Sequence, residues 1–333
     1  MITTPGRWTD PSWLEPTLEW VDLALAPTGA RRTGWTEPHT RAWSTVLRLE
    51  TTGGAFWLKA NADGTRHEAG LLAAMAALDL PWTPRPVAAD AALGLTLMPD
   101  GGPTIREADG GRTPLPRFEQ VLAGYAALQR TTAVHVDTFL EIGLDDARPA
   151  RMPELLAELV EQCARADGAH RLTAEEAARM RSVLPWYAEA CAELDAAGID
   201  ATLQHDDLHD ANVLATGPVV IDWGDAVVGH PFGTMLVTLG SAASHHELGP
   251  DDPALLRLLD AYTEAWTDVA DRATLRRLAM LAIRLGPLTR ALGWRRALLG
   301  CDEASWAAWG DGVHGWLLEL FSPDLPLRPA LLG

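Results

Sequence analysis

Between residues 203 and 225 the chain gathers side chains that can hold a hard cation and take up a proton: His205, Asp207, Asn212 and Asp222. Asn212 and Asp222 offer an amide oxygen and a carboxylate, the oxygen donors that suit a Mg²⁺ which keeps its waters and bridges phosphates. Val213 and Leu214 are separated from Val219, Val220 and Ile221 by Ala-Thr-Gly-Pro, so the segment reads as a β-hairpin. Antiparallel pairing then sets Asn212 directly across from Asp222 at the open end, with Cα atoms about 5 Å apart. Asp207 arrives at the same end and can accept a proton from a hydroxyl whose oxygen attacks phosphorus. Asp and Asn are also ordinary turn formers, so the ordered set carries the argument and no single member does.

The spacing His205-x-Asp207-x-x-x-x-Asn212 is that of a kinase catalytic loop, and Asp222-Trp223-Gly224 has the form of the metal-binding Asp-Phe-Gly that follows one. Such a loop needs a cation for the phosphates. Lys59 is the only lysine in a chain whose other basic residues are all arginine. A compact ammonium and a guanidinium differ most against phosphate oxygens, which marks Lys59 as required as a lysine. Chance retention is the alternative.

The elements that would position these groups follow from periodicity. Residues 11–25 read as an amphipathic helix with Trp13, Leu14, Trp20, Val21 and Leu25 inward. Residues 43–50 and 55–60 read as strands joined by Thr-Thr-Gly-Gly, with Lys59 near the end of the second. Residues 66–80 form a helix whose buried stripe is Leu71, Leu72, Met75 and Leu78. Glu68 lies on that stripe, where a carboxylate needs a partner, and Lys59 is the natural one. Residues 93–98 make a further strand, stopped by Pro99-Asp100-Gly101-Gly102. Beyond Thr104 the pattern turns helical, with helices expected over 117–130, 150–167, 174–197, 253–270, 273–299 and 303–321. Thr173 and Glu176 form a capping box. Arg284, Arg290, Arg295 and Arg296 are expected on a solvated helix face, and His245-His246 at a polar helix end.

A chain of 333 residues with 47% hydrophobic side chains has ample material for a core. Its net charge of -18 excludes nucleic acid as a partner, since phosphate backbones need a basic face. Most of the acidic excess lies beyond residue 102, a distribution suited to drawing in a cationic substrate. The first residues hold no apolar signal-like run, and no apolar stretch is long enough to span a bilayer, so a cytoplasmic location is expected. Three widely spaced cysteines suit neither a disulfide framework nor a zinc site.

Lys59, Glu68, the segment 98–102, the loop 205–212 and Asp222-Trp223-Gly224-Asp225 together resemble the aminoglycoside phosphotransferase family of small-molecule kinases. The likeness covers about residues 30–320. It implies an α+β, bilobal protein-kinase-like fold: a small antiparallel sheet with one key helix over 1–98, a hinge over 99–103, and a larger helical lobe over 104–333. It further implies ATP, with GTP as alternative, and Mg²⁺ as cofactors. Asp207 would be the catalytic base and His205 the residue orienting its loop. Asn212 and Asp222 would be the metal ligands, Lys59 the phosphate contact and Glu68 its partner. Met98 and Asp100 would offer backbone groups to the base, and Ser44 would cover the phosphates in place of a glycine-rich loop. Asp206 stands where the family commonly has Gly and is expected to face outward, away from Asp207.

The acceptor implied is a hydroxylated small molecule, aminoglycoside-like and cationic, taken up by a monomer or homodimer. A metabolic kinase of a sugar, amino sugar or amino alcohol is the alternative. A nucleotide-binding pseudokinase is the remote one.

Overall fold

The computed structural model describes residues 5–327. Helix α1 (Pro11–Leu25) starts behind Asp10, whose carboxylate accepts the Ser12 N–H at 2.8 Å, an N-cap that satisfies one otherwise free donor. Its Val21 and Leu25 pack on a five-stranded antiparallel sheet made of β1 (Arg32–Thr40), β2 (Ser44–Thr51), β3 (Gly54–Asn61), β4 (Ala88–Asp90) and β5 (Leu95–Pro99). The strand order is β1-β2-β3-β5-β4. Thr51 pairs with Gly54, whose φ of 108° turns the β2–β3 hairpin where the Gly-Gly pair was read as a turn.

The period of two along β3 decides where Lys59 points. Phe56, Leu58 and Ala60 are buried with Leu47, Leu49 and α1, so Trp57 and Lys59 face the other side. Lys59 pairs with Val46 on one flank and Thr96 on the other, in the middle of the sheet. Helix α2 (His67–Ala77) lies on that side and buries Glu68, Leu71, Leu72 and Met75.

The remainder is helical: α3 (Ile105–Ala108), α4 (Leu115–Thr132), α5 (Val136–Ile142), α6 (Met152–Arg165), α7 (Ala174–Asp195), α8 (Met235–His246), α9 (Pro253–Thr263), α10 (Arg272–Leu285), α11 (Pro287–Ala297), α12 (Glu303–Trp309) and α13 (Asp311–Glu319). The capping box of Thr173 and Glu176 opens α7 as read, and α8 ends at His246. The apolar stripe of α2 joins the core of these helices, with Leu122, Tyr125 and Phe139. A second sheet, β6 (Asp145–Ala147), β8 (Val227–Gly229) and β7 (Thr202–Gln204), carries the site loop. Gln204 pairs with Val227, so residues 205–226 are one excursion from a paired ladder.

Two expected helices are each broken in two. The run 273–299 divides at Gly286-Pro287, because proline has no N–H for the preceding turn and serves instead as the first residue of α11. The run 303–321 divides at Gly310. The run 253–270 ends early, α9 passing at Thr263 into a 3₁₀ turn. Strand β1, irregular in register around Gly34 and Pro38, was not anticipated, nor were β4 and α5. Among the described residues no helix is long and apolar enough to cross a membrane.

Candidate active site

A cleft of about 700 Å³ lies between the exposed side of the sheet and the loop 205–226. The side chains of Lys59, Glu68, Asp207, Asn212 and Asp222 all line it, together with Ser44 and Met98. A second hollow of about 850 Å³, on the side of Asp63, His67 and Asp146, contains none of these residues.

Lys59 Nζ lies 2.6 Å from Glu68 Oε2 and 2.5 Å from Asp222 Oδ1. Glu68 is held on all sides: Asn61 Nδ2 donates to its Oε2 and the Trp223 N–H to its Oε1, each at 2.9 Å. Burial opposes the ammonium's charge, but Asp222 and Glu68 outweigh it and raise the Lys59 pKa. Burial likewise raises Glu68, against the pull of Lys59. The lone lysine therefore stays charged, paired with Glu68 on the helix as the sequence suggested and, beyond that expectation, with Asp222 on the loop.

The catalytic-type loop is braced by His205, which is fully buried. Its Nε2 donates to the Ile221 carbonyl at 2.9 Å, leaving Nδ1 to accept the Asp207 N–H at 3.3 Å. Burial lowers its pKa, consistent with a neutral ring. His205 thus ties the two arms of the loop together and orients Asp207 without facing the cleft. Asn212 donates its amide N–H to the Asp207 carbonyl at 3.0 Å, which leaves its Oδ1 as the free donor for a cation. The hairpin is shorter than expected and slipped by one residue. Val213 bridges Val220, and the Ile221 N–H bonds the Asn212 carbonyl at 2.9 Å, so Asn212 faces Ile221. Asp222 sits one position further on, with φ 64° and ψ 60°, a left-handed conformation that turns its side chain into the cleft.

Asp206 does not face outward. It is 2% exposed, and its Oδ1 accepts from Gln204 Nε2 at 2.5 Å and Thr289 Oγ1 at 3.0 Å. Its φ of 62° lies where glycine is favoured and aspartate tolerated, so a Gly or an Asp meets the same backbone demand. Burial is the main reason that the Asp206 and Asp207 carboxyls are both pushed up to about 7. Arg290 opposes this. Far from a solvated face, it is buried on α11, with Nη2 3.2 Å from Asp207 Oδ1 and Nη1 3.0 Å from Asp225 Oδ2. Arg284 is buried too, and Arg296 bonds Asp145 and the Gly224 carbonyl. Asp100 also departs from expectation. Its N–H is used by the Ala55 carbonyl and its carboxylate caps the Gly102 N–H, so Gly101 and Gly102 line the cleft in its place.

A model of the phosphotransferase enzyme family matches residues 35–278. The chain belongs to that family. No curated protein gives a match. Among solved structures, the macrolide 2'-phosphotransferase MphH from Brachybacterium faecium superposes with a TM-score of 0.57 at 18% identity, covering 89% of this chain and 98% of its own. An ethanolamine kinase from Plasmodium vivax gives 0.57 at 10% identity, over 89% and 83%. A GDP and kanamycin complex of APH(2")-IIia gives 0.57 at 14%, over 91% and 98%. At such identities these likenesses speak for the fold, which is the bilobal kinase-like one. This member of the phosphotransferase family is thus a small-molecule phosphotransferase acting on hydroxyl groups.

What sequence reasoning missed in this phosphotransferase is α11. Arg290, Gly293, Trp294 and Ala297 recur at helical spacing and line the cleft as one stripe. Their spacing was readable as a helix face. Nothing in the sequence said that the face meets Asp207.

Proposed function

We propose that this phosphotransferase is an ATP- and Mg²⁺-dependent kinase, with GTP as the alternative donor, that moves the γ-phosphoryl group to a hydroxyl of a small molecule. The observation that supports it is the convergence of Lys59, Glu68, Asp222, Asn212 and Asp207 in one cleft. The donor set suits Mg²⁺: Asp222 would supply a carboxylate and Asn212 an amide oxygen, both in the cleft lining, leaving the rest of the shell to waters and phosphate oxygens. Bound there, Mg²⁺ supplies neutralisation of the charge that builds on the phosphates.

The residues of the chain do the rest. Lys59, fixed by Glu68, contacts phosphate oxygens. Met98 and Gly101 border the end of the cleft suited to the base, and Ser44 covers the phosphates. Asp207 accepts the proton of the acceptor hydroxyl while the new O–P bond forms and the P–O bond to the departing nucleoside diphosphate breaks. We further assign the lobes to 1–98 and 104–333 with the hinge at 99–103, because Pro99 ends β5 and the Ala215 N–H bonds the Pro103 carbonyl just beyond.

The test is nucleoside diphosphate release from ATP and GTP with Mg²⁺ over a panel of aminoglycosides, macrolides, sugars and amino alcohols. Acceptor-dependent release should fall by about 10²- to 10⁴-fold in Asp207→Asn, the usual share of a positioned base. Release unchanged by that substitution overturns the reading and leaves a nucleotide-binding regulator.

A further inference from the structure

The carboxylates that line the cleft are Glu68, Glu107, Asp207, Asp222 and Asp225. Each already has a partner inside the protein. Glu68 and Asp222 share Lys59, Asp207 and Asp225 share Arg290, and Glu107 accepts the Thr104 N–H in the capping box of α3. A polycationic acceptor needs several carboxylates free to meet its ammonium groups, because each one left unmatched in a cleft costs desolvation without return. Among the described lining residues no such set is available.

The stretch of the lining one helical turn along α11 from Arg290 has a different character. Trp43, from the turn between β1 and β2, and Trp294, on α11, face each other edge to face at 5.5 Å between ring centroids. Trp309 backs both, stacked on Trp294 at 6.1 Å and perpendicular to Trp43 at 5.5 Å. Gly293 and Ala297 leave the helix surface beside Trp294 low. The cations here are Arg290, taken up by its carboxylates, and Arg41, which lies 5.7 Å over the Trp309 ring. Such a wall gains most from a flat or apolar ring laid against it.

Resting on the kinase reading above, we infer that the acceptor is a hydroxylated molecule with a ring or apolar face, carrying at most one positive charge, seated on Trp43 and Trp294 in the cleft that Asp207 also lines. This narrows the substrate class and turns away from the cationic, aminoglycoside-like acceptor suggested by the acidic charge.

Calorimetric titration of the full chain with Mg²⁺ and ADP present tests it, using erythromycin and 4-nitrophenyl glucoside as ring-bearing probes and kanamycin as the polycation. At least one ring-bearing probe should bind about tenfold or more tightly than kanamycin. Trp294→Ala should weaken that binding by about tenfold, and Trp294→Phe, which keeps a ring, should stay within about threefold of the parent. Melting curves for each variant separate lost contact from lost fold. Tighter binding of kanamycin, no binding by either ring-bearing probe, or indifference to Trp294→Ala in a folded variant would each overturn the inference. Loss of the kinase reading itself shows elsewhere, in diphosphate release that ignores Asp207→Asn.

Discussion

Arg290 reaches from α11 to within 3.2 Å of Asp207, the residue placed to take the acceptor proton. The same guanidinium holds Asp225 at 3.0 Å and the Asp206 carbonyl at 3.0 Å. One buried cation therefore sets the position of the base against a neighbouring carboxylate and a backbone carbonyl.

Replacing it should harm both fold and turnover. Arg290→Met leaves buried carboxylates without their counter-charge, a loss of about 3 to 5 kcal/mol for a broken buried pair. Arg290→Lys keeps the charge but not the fork that spans two acids. Its kcat should fall by about 10²-fold, as for a misplaced catalytic group, with little change in nucleotide KM. A parental kcat in a folded Arg290→Lys would show that Asp207 is held by other means.

Lys59→Arg should be damaging although it keeps the charge. The ammonium sits 2.5 and 2.6 Å from two carboxylates in a side chain 13% exposed, a compact contact that a longer, planar fork does not reproduce. We expect kcat/KM to drop by about tenfold or more. Full activity would make the retention of one lysine accidental.

Asp222→Ala should abolish the dependence of nucleotide affinity on Mg²⁺, whereas Glu68→Gln should retain it and weaken nucleotide binding through Lys59. Titration of ADP with and without Mg²⁺ reads both. Dependence that survives in Asp222→Ala would move the metal elsewhere.

The Asp206 carboxyl, pushed up to about 7 by burial from an ordinary 3.8, predicts a pH effect on stability. Between those values the folded chain holds a proton that the unfolded chain has released, so stability falls as pH rises through that window. Asp206→Asn cannot ionise. Its loss of Tm between pH 5 and pH 8 should be smaller than that of the parent, and an equal loss would clear Asp206 as the source.

Much of the site was legible because its parts are local. The loop 205–212 and Asp222-Trp223-Gly224 lie within one excursion from β7 to β8, and Lys59 and Glu68 announce themselves by a strand period and a helix stripe. What stayed hidden depends on contacts distant in sequence. Arg290 looks like any surface arginine until α11 is packed on the loop, and Asp206 looks repelled by Asp207 until Thr289 and Gln204 are seen to receive it. The division of 273–299 was present as Gly286-Pro287 and could have been read. The slipped hairpin could not, because its register rests on a single bridge and on the strained φ of Asp222.

The solitary lysine has a practical side. Amine-directed reagents find one ε-amino group in the whole chain, and it is the one clasped between Glu68 and Asp222 at the floor of the cleft. Held charged by those two carboxylates, it is a poor nucleophile, so it is acylated only when the clasp is loosened. Release of Lys59 from Glu68 and Asp222, as in a variant that lacks one of them, can then be weighed as a mass difference beyond that of the N-terminal label, with no tag or added probe.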